Sequence, residues 1–180
     1  MSSAGVILYG PPAAGKDTVT RELAKIDDKF ALFPRLKAGG GRTYGYRLVT
    51  PSHFVELRKH GDMIWENRRY NSLYGVDRPA LVCFAEHRVP ILHLGQIEAI
   101  DAVKRSTPGI CWVVVCLWCA RDVAAERIAA RKTGDTLERL IVWDQTQPGI
   151  AADLEFDTGK IDPAEVAQQI SARIEARRAT

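Results

Sequence analysis

The stretch GPPAAGKDT, Gly10–Thr18, follows the apolar run VILY, Val6–Tyr9, and leads into DTVTRELAKI, residues 17–26, whose spacing predicts a helix. A buried strand over 6–10, then G-x-x-x-x-G-K, then a helix is the setting in which a glycine-rich turn grips phosphate. Backbone N–H groups of the turn and of the helix start converge on phosphate oxygens, Gly15 lets the backbone come close, and Lys16 adds a full charge. The expected nucleotide-binding set is Gly10, Pro11, Pro12, Ala13, Ala14, Gly15, Lys16, Asp17 and Thr18, with ATP as the nucleotide. The bland alternative is a turn that only joins strand to helix.

Asp17 stands where a serine or threonine hydroxyl ordinarily meets Mg²⁺. A carboxylate is itself a hard oxygen ligand and also suits a helix N-terminus, so Asp17 is the expected metal residue, binding directly or through water. Thr18 offers a neighbouring hydroxyl. Read structurally, Asp17 is only a favourable helix-start residue.

Working outward, 180 residues at 46% hydrophobic suffice for one domain with a sizeable core. Formal charge is +3, from 25 basic and 22 acidic side chains, so composition argues against a nucleic-acid partner and against a polybasic membrane segment. The longest apolar run, ICWVVVCLWCA, has 11 residues and is too short for a bilayer span. The N-terminus lacks a charged-then-apolar secretory pattern. A cytoplasmic protein acting on a small molecule, as monomer or homodimer, is expected. Cys116 and Cys119 form a C-x-x-C at the end of that apolar run without a second pair, which points to buried reduced thiols rather than a metal site.

Short β-branched runs alternate with amphipathic patterns, the signature of an α/β parallel sheet flanked by helices. Strands are expected at 6–10, 31–33, 89–94, 110–118 and near 153–157, giving a three-layer P-loop fold with five parallel strands. A terminal helix is expected after Asp162, with Pro163 in its first turn, Glu165 closing a capping box and Val166, Ile170 and Ile174 on one face. The chain then divides into a core (1–33, 81–131, 149–180), an inserted acceptor-binding region (34–80), rich in glycine, tyrosine and arginine, and a lid (132–148).

Taken in order, YRLVTPSHFVELRKHGDMIWENRRYNSLYGV (46–76), ILHLGQIEAIDAVK (91–104) and CARDVAAERIAARKTGDTLERL (119–140) resemble the guanylate kinase-like branch of P-loop phosphotransferases. The loop's G-K-D and the I-L-x-x-G pattern also resemble its relative that phosphorylates ribose 1,5-bisphosphate. The resemblance implies phosphoryl transfer from MgATP to an acceptor that already carries phosphate. It implies an acceptor phosphate held by Tyr46 and Tyr74 with basic residues among Arg35, Lys37 and Arg42; a forked guanidinium binds phosphate oxygens in pairs. It also implies catalytic Lys16, Arg131 and Arg139, the arginines brought over the transferring group by the lid; for Arg127 a solvated helix charge is the favoured reading and a structural role the other. Solvated helix charges are the alternative for Arg131 and Arg139.

Where guanylate kinases read guanine with two carboxylates, this chain has Trp65 and Gly95. Glu66 is one position late and is expected on the opposite strand face. A site without those acceptors loses its discrimination for guanine, so GMP is not the expected acceptor. Trp65 suits stacking on a sugar or base, and His93 stands where a carboxylate often ends the next core strand. Trp65, Glu66, His93 and Gly95 complete the expected substrate set. The remaining alternative is an inactive guanylate kinase-like binding module, which intact Gly10, Gly15 and Lys16 oppose.

Overall fold

Ala4, Val6 and Leu8 face one apolar cluster while Ile7 and Tyr9 face another, so the first strand is covered on both sides and its run needs no polar residue. In the computed structural model, which describes residues 3–41, 43–69 and 71–178, the chain runs β1 (Ser3–Tyr9), α1 (Lys16–Ile26), β2 (Phe30–Leu32), β3 (Arg35–Ala38), β4 (Tyr46–Leu48), α2 (Pro51–Lys59), β5 (Met63–Arg69) and β6 (Ser72–Asp77). It continues α3 (Arg78–His87), β7 (Val89–Leu94), α4 (Ile97–Ser106), β8 (Ile110–Trp118), α5 (Arg121–Ala130), α6 (Thr136–Gln145), β9 (Leu154–Asp157) and α7 (Pro163–Arg178).

The five expected strands form a parallel sheet in the order β2-β7-β1-β8-β9. Val19 and Leu23 of α1 and Val166, Ile170 and Ile174 of α7 cover one face; Leu81 and Ala85 of α3 and Ala99, Ile100 and Val103 of α4 cover the other. Tyr9 pairs in register with Leu94 and Cys116, so the strands end together and their following loops share one edge, where α/β sheets bind ligands. Asp162 caps α7 by accepting the Ala164 N–H at 2.8 Å. Glu165 instead takes the Gln169 amide at 3.4 Å, so no capping box is drawn.

The segment 34–80, expected to lack apolar strands, builds a second sheet in the order β4-β3-β6-β5. Its strands escape a search for apolar runs because side chains alternate between two different surroundings: on one face Leu36, Ala38, Leu73 and Met63 pack with Phe54 and Leu57 of α2. The other face packs Trp65 and Val76 against the second core cluster and turns Arg35, Tyr46, Asn67, Arg69 and Tyr74 toward the loops at the shared edge of the large sheet. Cys116 and Cys119 are buried and Cys83 is exposed. Among the described residues, no helix is long and apolar enough to cross a membrane.

Candidate active site

The glycine-rich loop between β1 and α1 is shaped by three residues with positive φ: Gly10 at 149°, Ala13 at 62° and Gly15 at 88°. At Gly10 only glycine fits, since a Cβ would lie 2.1 Å from the Leu117 carbonyl oxygen. Left-handed residues among right-handed ones turn successive amides inward, a concavity that favours anions. Gly15 precedes α1 and supplies no side-chain cap, so the amides of the helix start are left to the loop and to whatever it binds.

Lys16 folds back over the loop, its Nζ donating to the Gly10 carbonyl at 2.6 Å and the Pro11 carbonyl at 2.8 Å. Burial lowers its pKa to about 8; Asp17 pulls the other way, and Arg35 and Arg131 add to the fall. Asp17 lies on the pocket wall with 45% of its side chain exposed, its Oδ1 3.7 Å from Nδ1 of His93. Nε2 of His93 meets the Thr20 hydroxyl at 2.8 Å, which fixes the ring between the end of β7 and α1. Thr18 turns its hydroxyl toward Arg21 at 3.5 Å and is not part of the lining. The side chain here whose chemistry fits Mg²⁺ is Asp17, a half-exposed carboxylate beside Lys16 and the loop amides.

Arg127 ties the loop down from the side. Its Nη1 donates to the Ala13 carbonyl and the Thr158 hydroxyl, both at 3.1 Å, and its Nη2 to the Thr158 carbonyl at 2.7 Å. It is a structural clamp between the loop and the turn after β9. Arg131, one helical turn on, borders the pocket, as does Arg139 from α6. Arg139 Nε sits 2.8 Å from Asp135, and that pairing lowers the Asp135 pKa to about 2.

On the polar face of the small sheet, Arg35 pairs in register with Tyr46, and Lys37 with Tyr74, which pairs in turn with Asn67. Lys37 is 2% exposed, its Nζ 5.5 Å from the centres of both the Tyr46 and Tyr74 rings, and Arg35 lies 5.7 Å from that of Tyr46. Arg35, Tyr46 and Tyr74 line the pocket; Lys37 contributes its charge from beneath the rings. Arg42 lies outside the described residues.

Two expected acceptor residues lie elsewhere. Trp65 packs against the second core cluster, and Glu66 turns to the α2 side, where its Oε1 is 3.3 Å from Nε of Arg58. Neither lines the pocket; Asn67 and Arg69 do, together with Tyr44, Gln96, His93 and Gly95. The alternation of β5 puts residues 65, 67 and 69 on one face, and that period-two pattern is the signal by which Asn67 and Arg69 could have been found.

These parts enclose a cavity of about 220 Å³. Five cationic side chains, Lys16, Arg35, Arg69, Arg131 and Arg139, line it against Asp17, the only carboxylate among the described lining residues. A lining with this balance of charge favours dense negative charge.

No family model matches the chain. A guanylate kinase of Rickettsia typhi is 23% identical over 159 residues, covering 84% of this chain and 79% of that protein. Among solved structures, the guanylate kinase of Anaplasma phagocytophilum superposes with a TM-score of 0.62 at 18% identity, covering 99% of this chain and 89% of that one. A gluconokinase of Sinorhizobium meliloti gives 0.52 at 17% identity, covering 98% and 96%. The chain thus resembles the guanylate kinase-like P-loop kinases and shares their fold.

Proposed function

From this guanylate kinase-like fold, we propose that the chain is an ATP-dependent small-molecule kinase that moves the γ-phosphoryl group of MgATP to an acceptor already bearing phosphate. The observation that carries this is the pocket itself, where the phosphate-binding loop, Arg131 and Arg139, and the Arg35–Tyr46–Tyr74 face border one cavity with Asp17 as its only described carboxylate. The loop amides and Lys16 hold the donor phosphates. Arg35, Tyr46 and Tyr74 anchor the acceptor phosphate, with Arg42 a further candidate. Mg²⁺, when bound at Asp17, supplies neutralising charge across the donor phosphates. Arg131 and Arg139 stabilise the charge spread over the transferring group, and closure of residues 132–148 as a lid over the acceptor region 34–80 excludes water. The nucleophile is an acceptor phosphate oxygen, so in-line transfer needs neither a general base nor a covalent enzyme intermediate.

The most favoured acceptor is a nucleoside monophosphate read otherwise than guanine is. Trp65 and Gly95 supply no base-reading carboxylate, and Glu66 is committed to Arg58. A second reading, a ribose 1,5-bisphosphate phosphokinase type of sugar-phosphate kinase, is favoured by Arg69 and Asn67, which carry the polar face beyond Tyr74. Neither reading requires nucleic acid or a membrane, and both suit a cytoplasmic enzyme. The test offers MgATP with a panel of nucleoside monophosphates and ribose 1,5-bisphosphate and measures ADP release. Turnover with a non-guanine nucleotide or the sugar bisphosphate is expected; stimulation by GMP alone overturns the acceptor argument.

A further inference from the structure

The small sheet joins the rest of the chain at two crossings, outward through Phe33–Pro34 and back through Asp77–Arg78. One side chain reaches both. Arg47, on edge strand β4, donates its Nε to the Pro34 carbonyl at 2.8 Å, bonds the Asp77 carboxylate through both Nη atoms, and lies with its guanidinium 5.2 Å from the centre of the Phe33 ring. Phe33 and Asp77 are buried, at 2% and 5% exposure. Asp77 is the N-cap of α3, yet its side chain makes no capping bond. An aspartate there ordinarily accepts an amide of the first turn; here its carboxylate serves Arg47 instead. At the opposite edge of the sheet, Asp62 accepts the Arg78 backbone N–H at 2.8 Å and its Nη2 at 3.0 Å. Both edges are therefore strapped to the same returning crossing.

We propose that Arg47 is a positioning residue that fixes the tilt of the small sheet against the large one, through its simultaneous hold on Pro34, Asp77 and Phe33. The catalytic consequence rests on the kinase reading above. Arg35 and Tyr46 are next to this joint, so a change of tilt moves the acceptor anchor relative to the phosphate-binding loop. Misplacing reacting groups by about 1 Å costs on the order of 10²-fold in rate. Lysine cannot replace Arg47, because it keeps the charge but lacks the fork and the separate Nε donor.

The test measures the tilt directly in the full chain, without relying on turnover. Nitroxides carried on para-acetylphenylalanine at Val55 of α2 and Ala24 of α1, both exposed sites, report the distance between the two sheets by pulsed electron spin resonance. One narrow distribution is expected for the parent. Arg47→Lys and Asp77→Asn are each expected to shift or broaden it by several ångströms while the circular dichroism spectrum is retained. Distributions as narrow as the parent's and at the same distance, in folded variants, overturn the proposal. If both variants unfold, the pair is a fold-stabilising contact and the positioning role is equally overturned. Where turnover is found in the acceptor panel, kcat should fall at least tenfold in Arg47→Lys with the KM for MgATP unchanged. Failure of the panel bears on the kinase reading alone, since the distance measurement does not depend on it.

Discussion

Replacing Lys16 by methionine keeps the length of the stem and removes the ammonium. In the folded chain burial brings the Lys16 pKa from 10.5 down to about 8. The gap, at ~1.36 kcal/mol per pH unit, sets an upper bound of roughly 3 kcal/mol on what the buried charge costs the ligand-free fold. The sign follows from proton counting. Between pH 8 and 10.5 the unfolded chain holds the proton and the folded one does not, so stability rises with pH; below pH 8 the whole cost is present, and above 10.5 it is gone. Methionine has no such dependence, but it also gives up the bonds to the Gly10 and Pro11 carbonyls, worth about 1 kcal/mol each. The net expectation is a Lys16→Met variant more stable at pH 7 by about 1–2 kcal/mol, which for a chain of this size is roughly 2–8 °C in Tm. Thermal unfolding of both ligand-free proteins from pH 6.5 to 10 checks it, because other titrating groups cancel in the difference. MgADP should raise the Tm of the parent and leave that of the variant nearly unmoved. A variant that melts below the parent at pH 7, or an offset that does not decline above pH 8, refutes the reasoning.

Two further substitutions bear on the loop. Gly10→Ala drives a Cβ to 2.1 Å from the Leu117 carbonyl at a backbone φ of 149°, so a loss of about 3 kcal/mol or more is expected and a urea midpoint measures it. Arg127→Met removes its bond to Ala13 of the loop and its two bonds to Thr158, and calorimetry should find MgADP affinity reduced by about tenfold or more, with the loss of hydrogen bonds to a charged donor costing roughly 2 kcal/mol of stability.

What the sequence made legible is what backbone chemistry fixes locally. Gly10, Gly15 and Lys16 sit between an apolar strand and a helix, and their spacing alone dictates an amide-lined turn. The parallel strands β1, β7 and β8 read plainly because both their faces are largely buried and their runs are nearly all apolar, His93 in β7 being the main exception. The small sheet lacks that signal. In β3 apolar Leu36 and Ala38 alternate with Arg35 and Lys37, and a four-residue alternation is too short to separate from an irregular basic loop. Its strands hold together because α2 covers one face, a tertiary fact that no local window contains.

The misplaced acceptor residues have a sharper cause. A residue offset between Met63 and Trp65 interrupts the pairing of β5 with β6, and beyond it Asn67 pairs with Tyr74 and Arg69 with Ser72. An irregularity of one residue exchanges the faces of a strand, so a carboxylate counted along the sequence to a family position can lie on either side of the sheet. Glu66 lies on the face opposite Trp65, as its one-position offset implied, and meets Arg58 on the α2 side, whereas Asn67 and Arg69 enter the cavity. The same logic separates the two halves of the site. On the function proposed above, phosphate binding at the loop rests on amides that no register slip can turn away. On the same proposal, acceptor recognition rests on side chains whose facing is set by pairing across β3, β6 and β5, and so on the joint proposed to hold this sheet in place. Changes confined to that sheet and its joint should alter acceptor choice while leaving the nucleotide half of the pocket intact.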